Sequence, residues 1–222
     1  MKVTTKRLME IYSLLLDYYG PRHWWPAETA FEVVIGAILT QSVAWKNVEK
    51  AIANLKSLNL MDPFRLVDAP VEVVEEAVRP TRYFTQKAER LRIFCRVMVE
   101  EHGGELERML DGEVQELRGR LLGLKGIGPE TADSIILYAA EKPIFVVDAY
   151  TRRIFSRLGY FPEDVDYQTM QEFFMSRLKP DVPLYNEYHA LIDALGNRLC
   201  SNRKPGCAAC PLNAICHYKP ED

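Results

Sequence analysis

Apolar residues recur along this chain at intervals of three and four rather than two, the period of a helix with one buried face. In residues 4–19 the spacing places Leu8, Ile11, Tyr12, Leu15 and Tyr19 on one side. Residues 30–58 read as two helices separated around Gly36 and Gln41, the second strongest over 47–57. The same period predicts helices over 71–78, 85–101, 113–122, 129–141, 149–158, 167–178 and 185–199. Breaks are expected at Pro63, Pro70, Pro80, Gly103-Gly104, Gly126 to Gly128, Pro143, Gly159 and Pro180 to Pro183, because proline removes a backbone donor and glycine frees φ. Alternating strand patterns are scarce, so the expected fold class is all-α, built from many short helices. No internal repeat or low-complexity linker marks a domain boundary.

The 222 residues are 48% hydrophobic, 27% charged and 10% aromatic, enough apolar material for one substantial core or two smaller ones. That composition excludes an intrinsically disordered chain. No apolar run approaches the roughly 20 residues that cross a bilayer, and the polar start MKVTTKRLMEIY lacks a signal-peptide core, so the expectation is a cytoplasmic protein without a membrane partner.

The formal net charge of -3 is unfavourable for a polyanion binder, but the average hides clustering. Basic residues gather as Arg79, Arg82, Lys87, Arg90 and Arg92, as Arg152, Arg153 and Arg157, and as Arg198, Arg203 and Lys204. Acidic residues concentrate at Glu72, Glu75 and Glu76 and between Glu100 and Glu116. Either the surface is polarised, or these are ordinary solvated helix faces.

Cys200, Cys207, Cys210 and Cys216 form C-x6-C-x2-C-x5-C, while Cys95 stands alone in a helical pattern and reads as a buried filler. Thiolates so close together in a reducing compartment favour a metal over disulfides. Zinc competes as the occupant, but zinc sites usually set four cysteines as two separated close pairs, whereas one long spacing followed by a tight one suits a four-iron four-sulfur cluster better.

A second motif is Leu124-Lys125-Gly126-Ile127-Gly128-Pro129-Glu130. Two glycines flanking an aliphatic residue permit positive φ and close backbone approach, and Pro129 suits the first turn of the following helix, whose N-terminal amides can hold a phosphate. A plain turn between helices explains a G-x-G equally well. Beyond it, the apolar run Ile144-Phe145-Val146-Val147 ends at Asp148. Asp148 reads as a helix N-cap, and a carboxylate so placed can also stabilise positive charge developing on a sugar.

The cysteine spacing, with the run GNRLCSNRKPGCAACPLNAICHYK, resembles the cluster loop of the endonuclease III family. The order of glycine hairpin, helix, apolar run, aspartate and four cysteines resembles the helix-hairpin-helix glycosylases from about residue 25 onward. The resemblance implies a two-lobed fold: residues 26–141 as a six-helix domain with the helix-hairpin-helix at about 116–141, and residues 1–25 with 142–222 as an iron-sulfur domain whose cluster loop is 200–216. It implies Asp148 as the catalytic aspartate, Lys125, Gly126 and Gly128 as a phosphate-binding hairpin, Arg203 and Lys204 as DNA contacts, and the four cysteines as cluster ligands. The partner implied is double-stranded DNA containing a damaged base; the sequence itself carries no signal for the oligomeric state, for which a monomer is the expectation.

One position departs from that family. Endonuclease III carries a lysine nucleophile where this chain has Glu130, and a carboxylate cannot form the imine that strand cleavage requires. The resemblance is therefore closest to the endonuclease III-related 3-methyladenine glycosylases, in which a Trp-Trp-Pro segment and a further aromatic build the base pocket. Trp24, Trp25, Pro26 and Trp45 match those places, and Gln41 matches the residue that fills the gap left by the extruded nucleotide. An electron-rich aromatic clamp would favour a cationic N-alkylated purine. Core packing is the plain alternative for the tryptophans, and His189 is given no role. Two other functions stay open: a glycosylase for oxidised pyrimidines or mismatched bases, and a non-catalytic iron-sulfur DNA-binding module.

Overall fold

Twelve α-helices and no strand are found among residues 4–218, the part of the chain that the computed structural model describes. The class expected from the apolar period is the class observed. In chain order the helices are α1 (Thr5–Tyr19), α2 (Ala30–Leu39), α3 (Trp45–Ser57), α4 (Pro63–Asp68), α5 (Val71–Val78) and α6 (Phe84–His102). Then follow α7 (Leu106–Met109), α8 (Val114–Leu122), α9 (Pro129–Ser134), α10 (Ala149–Arg157), α11 (Tyr167–Met175) and α12 (Val182–Arg198). The described residues of Met1–Trp24 and Pro143–Asp222 form one compact unit, and Trp25–Lys142 form another.

The second unit holds eight α-helices, not six, because α4 and α7 are too short to show a period. Pro63 and Pro183 were expected to break helices; instead each lies in the first turn of one, where a missing N–H costs nothing. Asp62 and Asp181 cap those turns, accepting from Arg65 N at 2.9 Å and Leu184 N at 2.8 Å. Gly36 likewise lies inside α2 rather than ending it.

In the second unit α2 is buried on nearly every side, from Val33 to Leu39, as its all-apolar sequence requires. Lys87 is unexpectedly buried beside it, only 1% exposed, so it belongs to no basic surface. Its ammonium donates to the carbonyls of Leu39 at 2.8 Å and Thr81 at 2.5 Å, satisfying acceptors that helix and turn ends leave open. Cys95 is fully buried, and burial pushes its thiol up to about 12. The first unit is organised around Phe145, stacked on Phe174 at 4.2 Å and met edge-on by Tyr185 and Tyr188. Tyr188 donates its hydroxyl to Leu8 O at 2.8 Å, tying α12 to α1. Among the described residues no helix is long and apolar enough to cross a membrane.

Candidate active site

The glycine hairpin joins α8 to α9. Gly126 has φ of +88°, a conformation costly for any residue with a Cβ, and Gly128 is the extended N-cap of α9 with Pro129 in the first turn. Ile127 turns inward and is buried, which pins the loop. Beneath it Arg118 of α8 grips the fully buried Asp133 of α9 through two hydrogen bonds, Nε to Oδ1 at 2.7 Å and a terminal nitrogen to Oδ2 at 3.3 Å. Forked contacts of this kind fix orientation as well as distance, so the two arms of the hairpin are held in register.

Gln41, in the turn after α2, is fastened to the same loop. Its amide donates to Thr131 Oγ1 at 2.8 Å and to Gly126 O at 3.3 Å, and its carbonyl oxygen accepts from Arg90 of α6. The Arg90 side chain lies so close over Gly126 that a Cβ there would come within 2.5 Å of it. Lys125, at the tip, is three-quarters exposed and pairs with Glu89 of α6 at 2.8 Å. Glu130 is exposed in the first turn of α9.

Trp25 and Trp45 come together with Tyr138, which lies in a π-helical turn continuing α9. The indoles meet edge to face at 5.2 Å and 87°, while Trp25 and Tyr138 are 5.2 Å apart and tilted. The ring of Trp25 rests on Gly36, where a Cβ would stand 3.0 Å from Cζ2. The absent side chain at Gly36 therefore makes room for an indole, the reason a glycine sits inside α2. Perpendicular rings in contact make an aromatic wall. Pro26 is exposed beside Trp25, and Trp24 is half-buried in the other unit.

In that first unit Asp148 caps α10. Its Oδ1 accepts from Thr151 N at 2.7 Å and from Thr151 Oγ1 at 2.8 Å, and its Oδ2 lies 4.0 Å from His189 Nε2 of α12. The buried run Phe145-Val146-Val147 delivers the aspartate to this place. One turn beyond His189, burial raises the Asp193 carboxyl above the usual range, the His189 contact opposes this, and the Asp148 charge adds to it. Asp193 also accepts from Asn197 at 3.0 Å.

The four cysteines line one cavity with Arg157, Leu199, Pro205, Asn213 and Tyr218. Among the described residues no three His, Cys, Asp or Glu side chains converge closely enough to hold a metal ion. In a tetrahedral zinc site with Zn–S near 2.3 Å the sulfurs stand only about 3.8 Å apart. Burial raises the Cys210 and Cys216 thiols, with the neighbouring cysteines adding to the shift. Arg203 and Lys204 are exposed on the loop between Cys200 and Cys207.

Several residues around these sites carried no signal in the sequence. Arg90 reads in the sequence only as one member of a basic cluster, and nothing local singles out Arg118 or Asp133. His189 and Asp193 share a face of α12 by their spacing of four, a pattern that could have been noticed. Tyr83 is 62% exposed with φ of +46°, directly after Arg82 at +55°, two strained residues in succession at the start of α6.

Comparison with known proteins adds four findings. A family described as HhH-GPD superfamily base excision DNA repair protein matches residues 35–180. A Methanocaldococcus jannaschii protein named "Putative DNA repair glycosylase" is 44% identical over 213 residues, 96% of each chain. Among solved structures, endonuclease III in a trapped covalent intermediate with DNA superposes with a TM-score of 0.84 at 21% identity over 97% of both chains. Helicobacter pylori 3-methyladenine DNA glycosylase bound to 1,N6-ethenoadenine superposes with a TM-score of 0.71 at 28% identity, covering 86% of this chain and 96% of that one.

Proposed function

This chain belongs to the HhH-GPD superfamily of base excision DNA repair proteins, and from that premise we propose that it is a monofunctional glycosylase releasing N-alkylated purines such as 3-methyladenine. The observation that carries the reading is Asp148. One oxygen is fixed by two hydrogen bonds from Thr151, so the carboxylate is held rigidly where the other oxygen can face a reacting sugar. A fixed anion stabilises the oxocarbenium-like charge that forms as the glycosidic bond breaks, without the reorganisation that water would need. The purine departs with the bonding electron pair and, if it was cationic, leaves neutral. Water then attacks the sugar carbon, and Asp148 accepts its proton.

Glu130 supports the absence of lyase chemistry, since no amine stands at its place in the first turn of α9 to form an imine. The Trp25, Trp45 and Tyr138 wall supports a cationic purine, because cation-π attraction is worth about 0.5 to 2 kcal/mol. The ethenoadenine-bound Helicobacter pylori glycosylase shows that a relative in fold and sequence accepts a modified adenine. Gln41 is the reading's candidate for filling the gap in the duplex, and the hairpin amides with Lys125, Arg203 and Lys204 its candidates for phosphate contacts. Cys200, Cys207, Cys210 and Cys216, which line one cavity, would hold a four-iron four-sulfur cluster, whose contribution would be to fix the loop that bears Arg203 and Lys204. Iron and acid-labile sulfide analysis of the purified protein tests it.

The reading is tested by a panel of duplexes, each with one damaged base, assayed for free base. Release of 3-methyladenine without borohydride-trapped protein is expected. Release of oxidised pyrimidines instead, or of nothing, would replace it with the general endonuclease III specificity or with a non-catalytic DNA-binding module.

A further inference from the structure

A cavity of about 410 Å³ opens beside α10, begins at Ala149 immediately after Asp148, and lies wholly within the first unit. Three arginines line it, Arg152, Arg153 and Arg157, and two of them are held in place by hydrogen bonds. Arg153 donates to the carbonyls of Cys200 at 2.7 Å and Gly196 at 3.0 Å with its guanidinium 4.9 Å above the Tyr150 ring. Arg157 donates to the carbonyls of Ser201 at 2.8 Å and Asn202 at 3.1 Å and to Cys200 Sγ at 3.2 Å, stacked 4.2 Å over Tyr218. These contacts immobilise two positive charges in the cavity wall.

Arg152 is different. Its Nε is closed off from solvent and meets no acceptor among the described residues. Ser156, one turn further on, adds a hydroxyl to the same cavity, and Glu163 is its single acidic lining residue among those described. Two preset cations, one guanidinium in want of an acceptor, a hydroxyl and the N-terminal turn of α10 together match an oxyanion carrying several acceptor oxygens.

We propose that this cavity is a phosphate-binding subsite centred on Arg152, and that its occupant is a backbone phosphate of bound DNA. Only the owner of the phosphate rests on the base-excision reading; the anion site itself does not. Held one turn from Asp148, whose carbonyl accepts from Arg152 N at 3.0 Å, such a phosphate would set the distance from the DNA backbone to the aspartate.

The test uses the full-length protein and an undamaged fluorescent duplex, so base release plays no part. Each phosphate contact contributes about 0.9 to the slope of log K against log salt. Arg152→Gln should lower that slope by about 0.9, Arg152→Lys should keep it, and Glu163→Gln, which removes an exposed negative charge from the rim, should tighten binding. In parallel, inorganic phosphate should raise the melting midpoint of the native protein but not of Arg152→Gln. A phosphate effect without a change in slope keeps the subsite and assigns it to free phosphate. An unchanged slope with no phosphate effect overturns the proposal. If Arg152→Gln fails to fold, Glu163→Gln decides, since equal DNA affinity and an equal phosphate response would overturn it as well. A lesion panel that yields no free base alongside a reduced slope would remove the glycosylase reading and leave the subsite standing.

Discussion

Asp148 gives one carboxylate oxygen to Thr151 as a helix cap and holds the other 4.0 Å from His189 Nε2, so the cap occupies one oxygen and leaves the other for the chemistry proposed for it. Asparagine caps a helix as well as aspartate does but carries no charge. Asp148→Asn should therefore keep its stability to within about 0.5 kcal/mol and its DNA affinity, while base release falls by about 10³-fold. Denaturant melts, a duplex titration and a base-release assay measure the three quantities, and undiminished release would remove Asp148 from the mechanism.

Glu130 is exposed in the first turn of α9, at the place that the resemblance to endonuclease III matches to the lyase lysine. Glu130→Lys should give protein that borohydride links covalently to abasic DNA, whereas the native chain should not be trapped. The substitution also places a positive charge at the positive end of α9, costing about 0.5 kcal/mol of stability.

Trp45 meets Trp25 edge-on and anchors the aromatic wall. Trp45→Leu keeps apolar bulk but loses the π face. Its kcat/KM for a cationic N-alkylated purine should fall about fivefold more than that for a neutral modified purine, the equivalent of about 1 kcal/mol of cation-π attraction. Equal losses on both substrates would mean that charge is not what the wall reads.

Gly126 combines φ of +88° with a guanidinium packed against its open side. Gly126→Ala should cost about 1 to 2 kcal/mol from the backbone alone. It should also displace Arg90 from Gln41, so DNA affinity should fall for every sequence tested. Retention of both stability and affinity would show that the hairpin does not depend on this close approach.

Lys87 gives a pH dependence of unusual sign. Burial, then the charges of Arg90 and Arg82, lower its ammonium to about 8, below the 10.5 of a free lysine. Between those values the unfolded chain binds a proton that the folded chain does not, so folding stability rises with pH across the window. The contribution is complete above 10.5 and lost as pH falls through 8. Relative to Lys87→Met, the native protein should gain about 3 kcal/mol between pH 7.5 and 10.5 in denaturant melts. Parallel pH curves for the two proteins would show that the folded state does not shift this lysine.

The sequence alone determined the helical class, the break at Gly126 to Gly128, the cap at Asp148 and the grouping of four cysteines, because each depends on local spacing: a period of three to four, a glycine where φ turns positive, an oxygen one turn before a free amide. It misread Pro63, Pro183 and Gly36, since a proline or glycine has the same local preferences whether it ends a helix, begins one or makes room for an indole. Only the tertiary structure decided which charged residues face water and which are consumed inside. Lys87, Asp133 and Arg118 have the letters of a solvated surface, but Lys87 and Asp133 are buried and Arg118 is consumed by its pairing with Asp133. The neighbourhood of Asp148 was settled in the same way, since His189 reaches it from a helix forty residues on, across a distance that no local pattern spans.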